Sequence, residues 1–281
     1  SNDCPKIQRC VNDTSTMEYH YDTTRTYLDT SEDEDSLLDY VSKHYKNTIV
    51  IVNSTNSMNL SFLRYYDIKA CLVVSTTGED STSSIVDVLY GEKSPSGRLT
   101  DTYVYDFASS PSYLHSGPVD TSTESSNGFN TDRKHNRYLY SDGVYPSGYE
   151  NVNVSPNRKQ KYQNSYFVDY TEGIYVGYRF YETADSMGYY DGVKTEFGEG
   201  YEGVVQYPFG YGLSYTSFRK QIVYSNLADG TNLTKDDTIR IQVKVTNTGT
   251  RSGKEVVQLY LVSPYTEKGI EKSQVQLVDF G

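Results

Sequence analysis

Tryptophan is absent from this sequence, and cysteine and histidine are scarce, with three and four residues respectively. No CxxC pair and no His/Cys cluster occurs, which argues against a zinc centre, and no cofactor is expected. Cys4 and Cys10 are close enough in sequence to close a small loop, whereas Cys71, in Lys69-Ala-Cys-Leu-Val-Val-Ser75, reads as a buried thiol. Basic residues are outnumbered, 26 to 37, for a formal charge of −11, so a nucleic-acid binder working through a basic face is excluded. No run of about 18 apolar residues is present, so no membrane-spanning helix is expected. The opening Ser1–Cys10 lacks an apolar stretch and reads as a mature or trimmed end. A GxSxG elbow for serine catalysis is missing too.

Tyrosine is what the sequence has in excess: 30 residues, against nine phenylalanines. Aromatic faces stack on the apolar faces of sugars, and tyrosine is equally an amphipathic packing residue; packing is the favoured of these two readings. With tyrosine counted, a chain of 281 residues can bury a real core in one or two domains.

Residues 1–25 show neither helical nor strand periodicity and read as an extended segment. At Ser31-Glu-Asp-Glu34 a capping box opens a helix, with Leu37, Leu38, Val41 and Tyr45 at helical spacing. The acidic run sits on the positive end of the helix dipole rather than in a metal site. Asn47–Ser54 and Ile68–Ser75 are short continuous apolar runs of the kind found in buried parallel strands. Ser57–Tyr66 and Gly78–Gly91 read as helices, the second ending at a glycine. The alternation over 26–91 predicts an α/β fold with a mostly parallel sheet. Ligands in such sheets sit on the loops beyond the carboxyl ends of the strands, here Asn53-Ser-Thr55 and Thr76-Thr-Gly-Glu79.

Residues 92–165 are mostly turn chemistry, and Tyr166–Thr183 returns to an aromatic pattern. Tyr207–Phe218 reads as a junction. Beyond it the hydrophobic period falls to two, in Thr238–Gly249 and Lys254–Tyr265, as in a β-sandwich. About 65 residues follow the junction against roughly 100 in an immunoglobulin-like sandwich, so the sandwich is incomplete here, and its open strand edge could pair with a second copy in a homodimer.

Five collinear stretches resemble glycoside hydrolase family 3, the β-glucosidase and β-xylosidase family. They are Asn53–Leu60, Ser84–Tyr113 with its Pro-Ser-Gly-Arg, Phe167–Thr183, Tyr207–Phe218 and Val243–Leu261. The resemblance implies a three-layer α/β sandwich domain over 26–215, incomplete at its start, and a partial fibronectin-III-like β-sandwich over 216–281. It also implies a (β/α)8 barrel, absent from this chain, that supplies the nucleophilic Asp. Oligosaccharide substrate would bind between the two, and secretion or a cell-surface location is expected.

Retaining hydrolysis needs two carboxyl groups roughly 5–5.5 Å apart, one a nucleophile and one an acid that then acts as base. The family's acid/base Glu lies just before the Asp-Val-Leu helix, and the resemblance carries it onto Glu79, with Gly78, Asp87 and Gly91 matching its neighbours. A bare first-turn carboxylate is the plain alternative for Glu79. The family's Gly-Gly-Pro-Gly or Gly-Leu-Pro-Gly becomes Ser75-Thr-Thr-Gly78, a later Gly and Ala become Thr82 and Ser84, and Asn-Ser-Gly-Asn-Pro becomes Asn53-Ser-Thr-Asn-Ser57. Losing Gly and Pro together changes loop conformation. A non-catalytic homologue acting as scaffold or carbohydrate-interaction module is therefore the second reading. Arg179, amid aromatics, reads as stacked and structural. His20, His44, His115 and His135 read as surface residues.

Overall fold

A computed structural model describes residues 28–78, 82–114, 116–118, 166–168, 170, 172–264 and 268–281. The segment 1–25, with Cys4 and Cys10, lies outside them. Helix α1 (Glu32–His44) starts where the capping box predicts. The Glu34 N–H donates to Ser31 Oγ at 3.2 Å, and the Ser31 N–H donates to Glu34 Oε2 at 2.8 Å. Two of the donors that every helix start leaves unpaired are thereby satisfied.

Strands β1 (Ile49–Asn53) and β2 (Ala70–Val74) pair in parallel, Ile49 opposite Ala70 through Asn53 opposite Val74. Between them the helix expected over 57–66 shrinks to α2 (Phe62–Tyr65). Asn59 is the cause. Its Nδ2 donates to Asp29 Oδ1 at 3.0 Å and to the Tyr105 carbonyl at 2.9 Å, while its Oδ1 accepts the Ser61 N–H at 2.9 Å. A side chain that bonds backbone in this way competes with the helix ladder. Helix α3 (Thr82–Leu89) follows β2 and ends before Gly91, whose φ of 77° needs a residue without a Cβ.

The core is divided by strand β3 (Tyr103–Val104). Adjacent residues of an extended strand point to opposite faces. Tyr103 packs with Leu60 and Phe62, and Val104 with Tyr181, Ala184 and Tyr190. The last three belong to or follow α5 (Tyr178–Ser186). β3 pairs antiparallel with β6 (Val205–Tyr207), which follows the short α6 (Tyr201–Val204). Backbone of a short helix α4 (Pro111–Leu114) and of the pair β4 (Ser116–Pro118) and β5 (Tyr166–Val168) completes this part. Tyr103, Tyr181 and Tyr190 are all at least 94% buried, so part of the tyrosine excess is core. The Tyr201 hydroxyl donates to Glu182 at 2.6 Å.

Beyond the junction, β7 (Phe218–Ser225) pairs antiparallel with β8 (Ile241–Asn247), and β9 (Gln258–Leu261) with β10 (Gln276–Phe280). Among the described residues the strands pair two by two. The predicted strands at 238–249 and 254–265 appear as the shorter β8 and β9; β7 has no counterpart in the sequence reading. Apart from Phe218 every β7 residue is exposed, so its side chains carry no alternating pattern to read.

Polar bonds join the two parts. Both Glu255 oxygens accept from Arg98 Nη2, at 2.9 and 3.0 Å, and Lys220 Nζ lies 3.0 Å from Glu255 Oε1. The Arg98 and Glu255 side chains are only 13% and 9% exposed. Gly212 makes room for this ion pair: a Cβ there would lie 2.3 Å from the Gly97 carbonyl and 2.9 Å from the Arg98 guanidinium. Burial alone would raise the Glu255 carboxyl, but the hydrogen bonds from Lys220 and Arg98 outweigh it and hold the group below the ordinary glutamate range. A depressed folded value adds stability above the unfolded pKa, about 4.3, and that stability is lost as pH falls through the folded value. Glu255→Gln should therefore cost roughly 2 kcal/mol at pH 7, and the deficit should shrink at pH 3. Urea melts of both proteins at the two pH values test this; a deficit that stays constant refutes it.

Candidate functional site

Parallel strands finish at the same edge, so the loops after β1 and β2 emerge side by side. The first turns back on itself: Ser54 Oγ donates to the Asn56 carbonyl at 2.9 Å and accepts the Asn56 N–H at 3.2 Å. The Ser54 N–H donates to the Val74 carbonyl at 3.1 Å, locking the two loop starts together. A broad cleft runs along β2 and past these loops; Thr55, Ser57, Thr76, Thr77, Asp101 and Tyr211 line it together with apolar residues such as Leu60, Ile85 and Val88. Hydroxyls, one carboxylate and an aromatic face are the groups that meet sugars well.

Asp101 ties part of this lining together. Its Oδ2 accepts from Ser57 Oγ at 2.5 Å and its Oδ1 from the Thr102 N–H at 2.8 Å. That Oδ1 also lies 3.7 Å from where a Cβ on Gly177 would stand. Gly177, with φ of 56°, is the residue before α5. Asp101 therefore holds the loop after β1 to the start of β3. Sequence reasoning passed over it, because Ser57 is 44 positions away.

Glu79 lies outside the described residues. Its flanks are described: Gly78 has φ of 62°, and α3 begins at Thr82. No residue of α3 is fully buried; Ile85 and Val88 line the cleft. The helix is held at its far end instead. The Tyr215 hydroxyl donates to the Val88 carbonyl at 2.9 Å, and Arg251 Nη1 donates to the Gly91 carbonyl at 2.8 Å.

Of the other residues singled out, Arg179 lies on α5 with its guanidinium 6.0 Å from the centre of the Tyr178 ring, the stacked arrangement expected. His44 stacks on Tyr40 at 4.0 Å and its Nδ1–H donates to the Tyr40 carbonyl at 2.7 Å. His20, His115 and His135 lie outside the described residues. Among the described residues no group of three or more His, Cys, Asp or Glu is placed to hold a metal ion, and no helix is long and apolar enough to cross a membrane.

Residues 9–215 match the model of the glycosyl hydrolase family 3 C-terminal domain. The chain is 27% identical over 238 residues to thermostable beta-glucosidase B of Acetivibrio thermocellus, covering 84% of this chain and 22% of that protein. It is 29% identical over 239 residues to a beta-glucosidase of Ruminococcus albus, covering 85% and 18%. A beta-glucosidase structure from Paenibacillus barengoltzii superposes with a TM-score of 0.60 at 27% identity, over 89% of this chain and 20% of that one. The Kluyveromyces marxianus beta-glucosidase in complex with glucose gives 0.59 at 25% identity, over 90% and 22%. The chain thus spans about a fifth of the length of these relatives.

Cys71 stands on β2 and also lines the cleft. It carries no disulfide, and burial pushes its thiol up to about 11. At pH 8 only about one molecule in a thousand then carries the reactive thiolate. Peptide mapping after iodoacetamide at pH 8 should find Cys71 almost unlabelled in the native chain and fully labelled in urea. No residue of β2 is fully buried and Cys71 is half-buried, short of the buried thiol that the sequence suggests, so rapid labelling of the native protein would contradict the raised thiol pKa.

Proposed function

Because the chain belongs to glycosyl hydrolase family 3 through its C-terminal domain, we propose that it is the non-barrel part of a retaining β-glycosidase of β-glucosidase or β-xylosidase type. The substrate is a terminal β-linked sugar of an oligosaccharide. The family match over residues 9–215 carries this reading. The loops after β1 and β2 support it: they line one part of the cleft that runs along β2, and the carboxyl ends of parallel strands are where α/β sheets bind ligands. In this reading the order α1, β1, α2, β2, α3 belongs to a three-layer α/β sandwich, and the pairs β7–β8 and β9–β10 to a fibronectin-III-like module. The parent protein acts outside the cell or at its surface.

Glu79 is the acid/base. It protonates the glycosidic oxygen as the aglycone leaves, and after the barrel's Asp has formed the glycosyl-enzyme it takes a proton from the attacking water. In sequence Glu79 stands three positions before the start of α3, and a helix start lowers a nearby carboxyl pKa, the wrong direction for an acid at neutral pH. Burial or a neighbouring carboxylate must raise it, and the barrel face supplies both. The chain alone is then inactive.

The test is hydrolysis of aryl β-glucosides and β-xylosides by the polypeptide that joins this chain to its barrel. Glu79→Ala should slow turnover about 10²–10⁴-fold, and added azide should restore it by attacking the glycosyl-enzyme without base help. An unchanged rate, or an inert parent, refutes the assignment and leaves the non-catalytic scaffold reading, which the Ser75-Thr-Thr77 replacements favour.

A further inference from the structure

Helix α3 is the element whose placement is least explained by packing. None of its residues is fully buried, so the hydrophobic effect fixes its axis weakly. Its end is fixed by polar bonds, and their donors come from the junction and the C-terminal β region. The Tyr215 hydroxyl takes the Val88 carbonyl and Arg251 takes the Gly91 carbonyl. A cation is favourable there, at the negative end of the helix dipole. Arg251 is itself held, since its carbonyl accepts from Asn247 Nδ2 at 2.7 Å at the end of β8. The turn that follows α3 is fixed from the same side. Ser94 Oγ accepts the Tyr215 N–H at 2.9 Å, and Arg98 is clamped by Glu255.

We propose that the C-terminal β region positions α3, with Tyr215 and Arg251 as positioning residues that hold its far end and so set where its start stands in the cleft. This rests on the glycosidase reading above, in which Glu79, three positions before α3 in sequence, is the acid/base. Lever arithmetic shows why such a clamp matters. Eight residues of helix span roughly 12 Å, so a tilt of about 5° at the tethered end moves the start by about 1 Å. A misplacement of that size costs up to about 10²-fold in rate. The β region then has a part in the reaction without touching substrate.

The experiment uses the full polypeptide with its barrel and compares kcat/KM on phenyl β-glucoside with that on 2,4-dinitrophenyl β-glucoside. Phenolate is a poor leaving group and needs the acid; dinitrophenolate leaves without it. A misplaced acid therefore slows only the first substrate in the bond-breaking step. Tyr215→Phe with Arg251→Met should lower kcat/KM on the phenyl glucoside by about ten- to a hundredfold while changing the dinitrophenyl value less than about twofold. Arg251→Lys, which keeps a cation for the Gly91 carbonyl, should recover much of the loss. Equal loss on both substrates means that only folded protein was lost, and overturns the proposal; so does no change on either. Tyr215→Phe alone, which removes one oxygen, decides the question if the double variant does not fold. A wild-type polypeptide inert on both substrates fails differently: the glycosidase reading falls, and the positioning role with it.

Discussion

The parallel pairing of β1 with β2 is the constraint on which the candidate site depends. Antiparallel neighbours would send successive loops to opposite edges. Parallel ones send Ser54–Ser57 and Ser75–Gly78 to the same edge, where the Ser54 N–H can reach the Val74 carbonyl. Parallel pairing demands a crossover, here the 16 residues between Asn53 and Ala70, and α2 supplies only four of them. Asn59 organises the remainder through its side chain, whose bonds reach the Asp29 carboxylate and the Tyr105 carbonyl on two other segments. The crossover is thereby tied to the strand that divides the core.

A second level of organisation joins the cleft to the C-terminal strands. Arginines make two of its polar contacts. Arg98 meets a carboxylate at both oxygens and Arg251 meets a helix-terminal carbonyl. At Arg98 a single guanidinium nitrogen, Nη2, serves both carboxylate oxygens, and at Arg251 Nη1 serves the carbonyl. Glycines permit the approach: Gly212 and Gly91 stand where a Cβ would press on the Arg98 and Arg251 guanidinium groups. Pro95-Ser-Gly-Arg98 and the Gly210/Gly212 stretch, separate in sequence, are two halves of one joint. The Gly210 N–H donates to the Leu99 carbonyl, and the Leu99 N–H to that of Tyr211.

What could be read from the sequence was what local chemistry determines. The capping box at Ser31 and the apolar runs of β1 and β2 each appear where the residues place them, and Gly91 follows α3 with a positive φ. The shortening of α2 could not be read, because Asn59 competes with the helix only once Asp29 and Tyr105 are brought beside it. Strand β7 was invisible for a related reason: both its faces are exposed, so burial imposes no period on its side chains. Asp101 and Arg251 look like ordinary surface charges in sequence. Their roles come from partners 44 and 160 positions away. Glu79 is the reverse case, named by resemblance alone and lying outside the described residues.

These levels bear on how labour divides between this chain and a barrel. An acid that must hold its proton near neutral pH needs a low-dielectric or negatively charged surrounding. The residues of α3 offer neither: none is fully buried, and the helix start favours negative charge rather than a neutral acid. What this part of the fold offers is placement, through a helix whose far end is bonded to a strand region that the reaction does not touch. On the glycosidase reading, position comes from this chain and pKa comes from the surface that closes over the cleft. Acid catalysis then switches on only when the two meet.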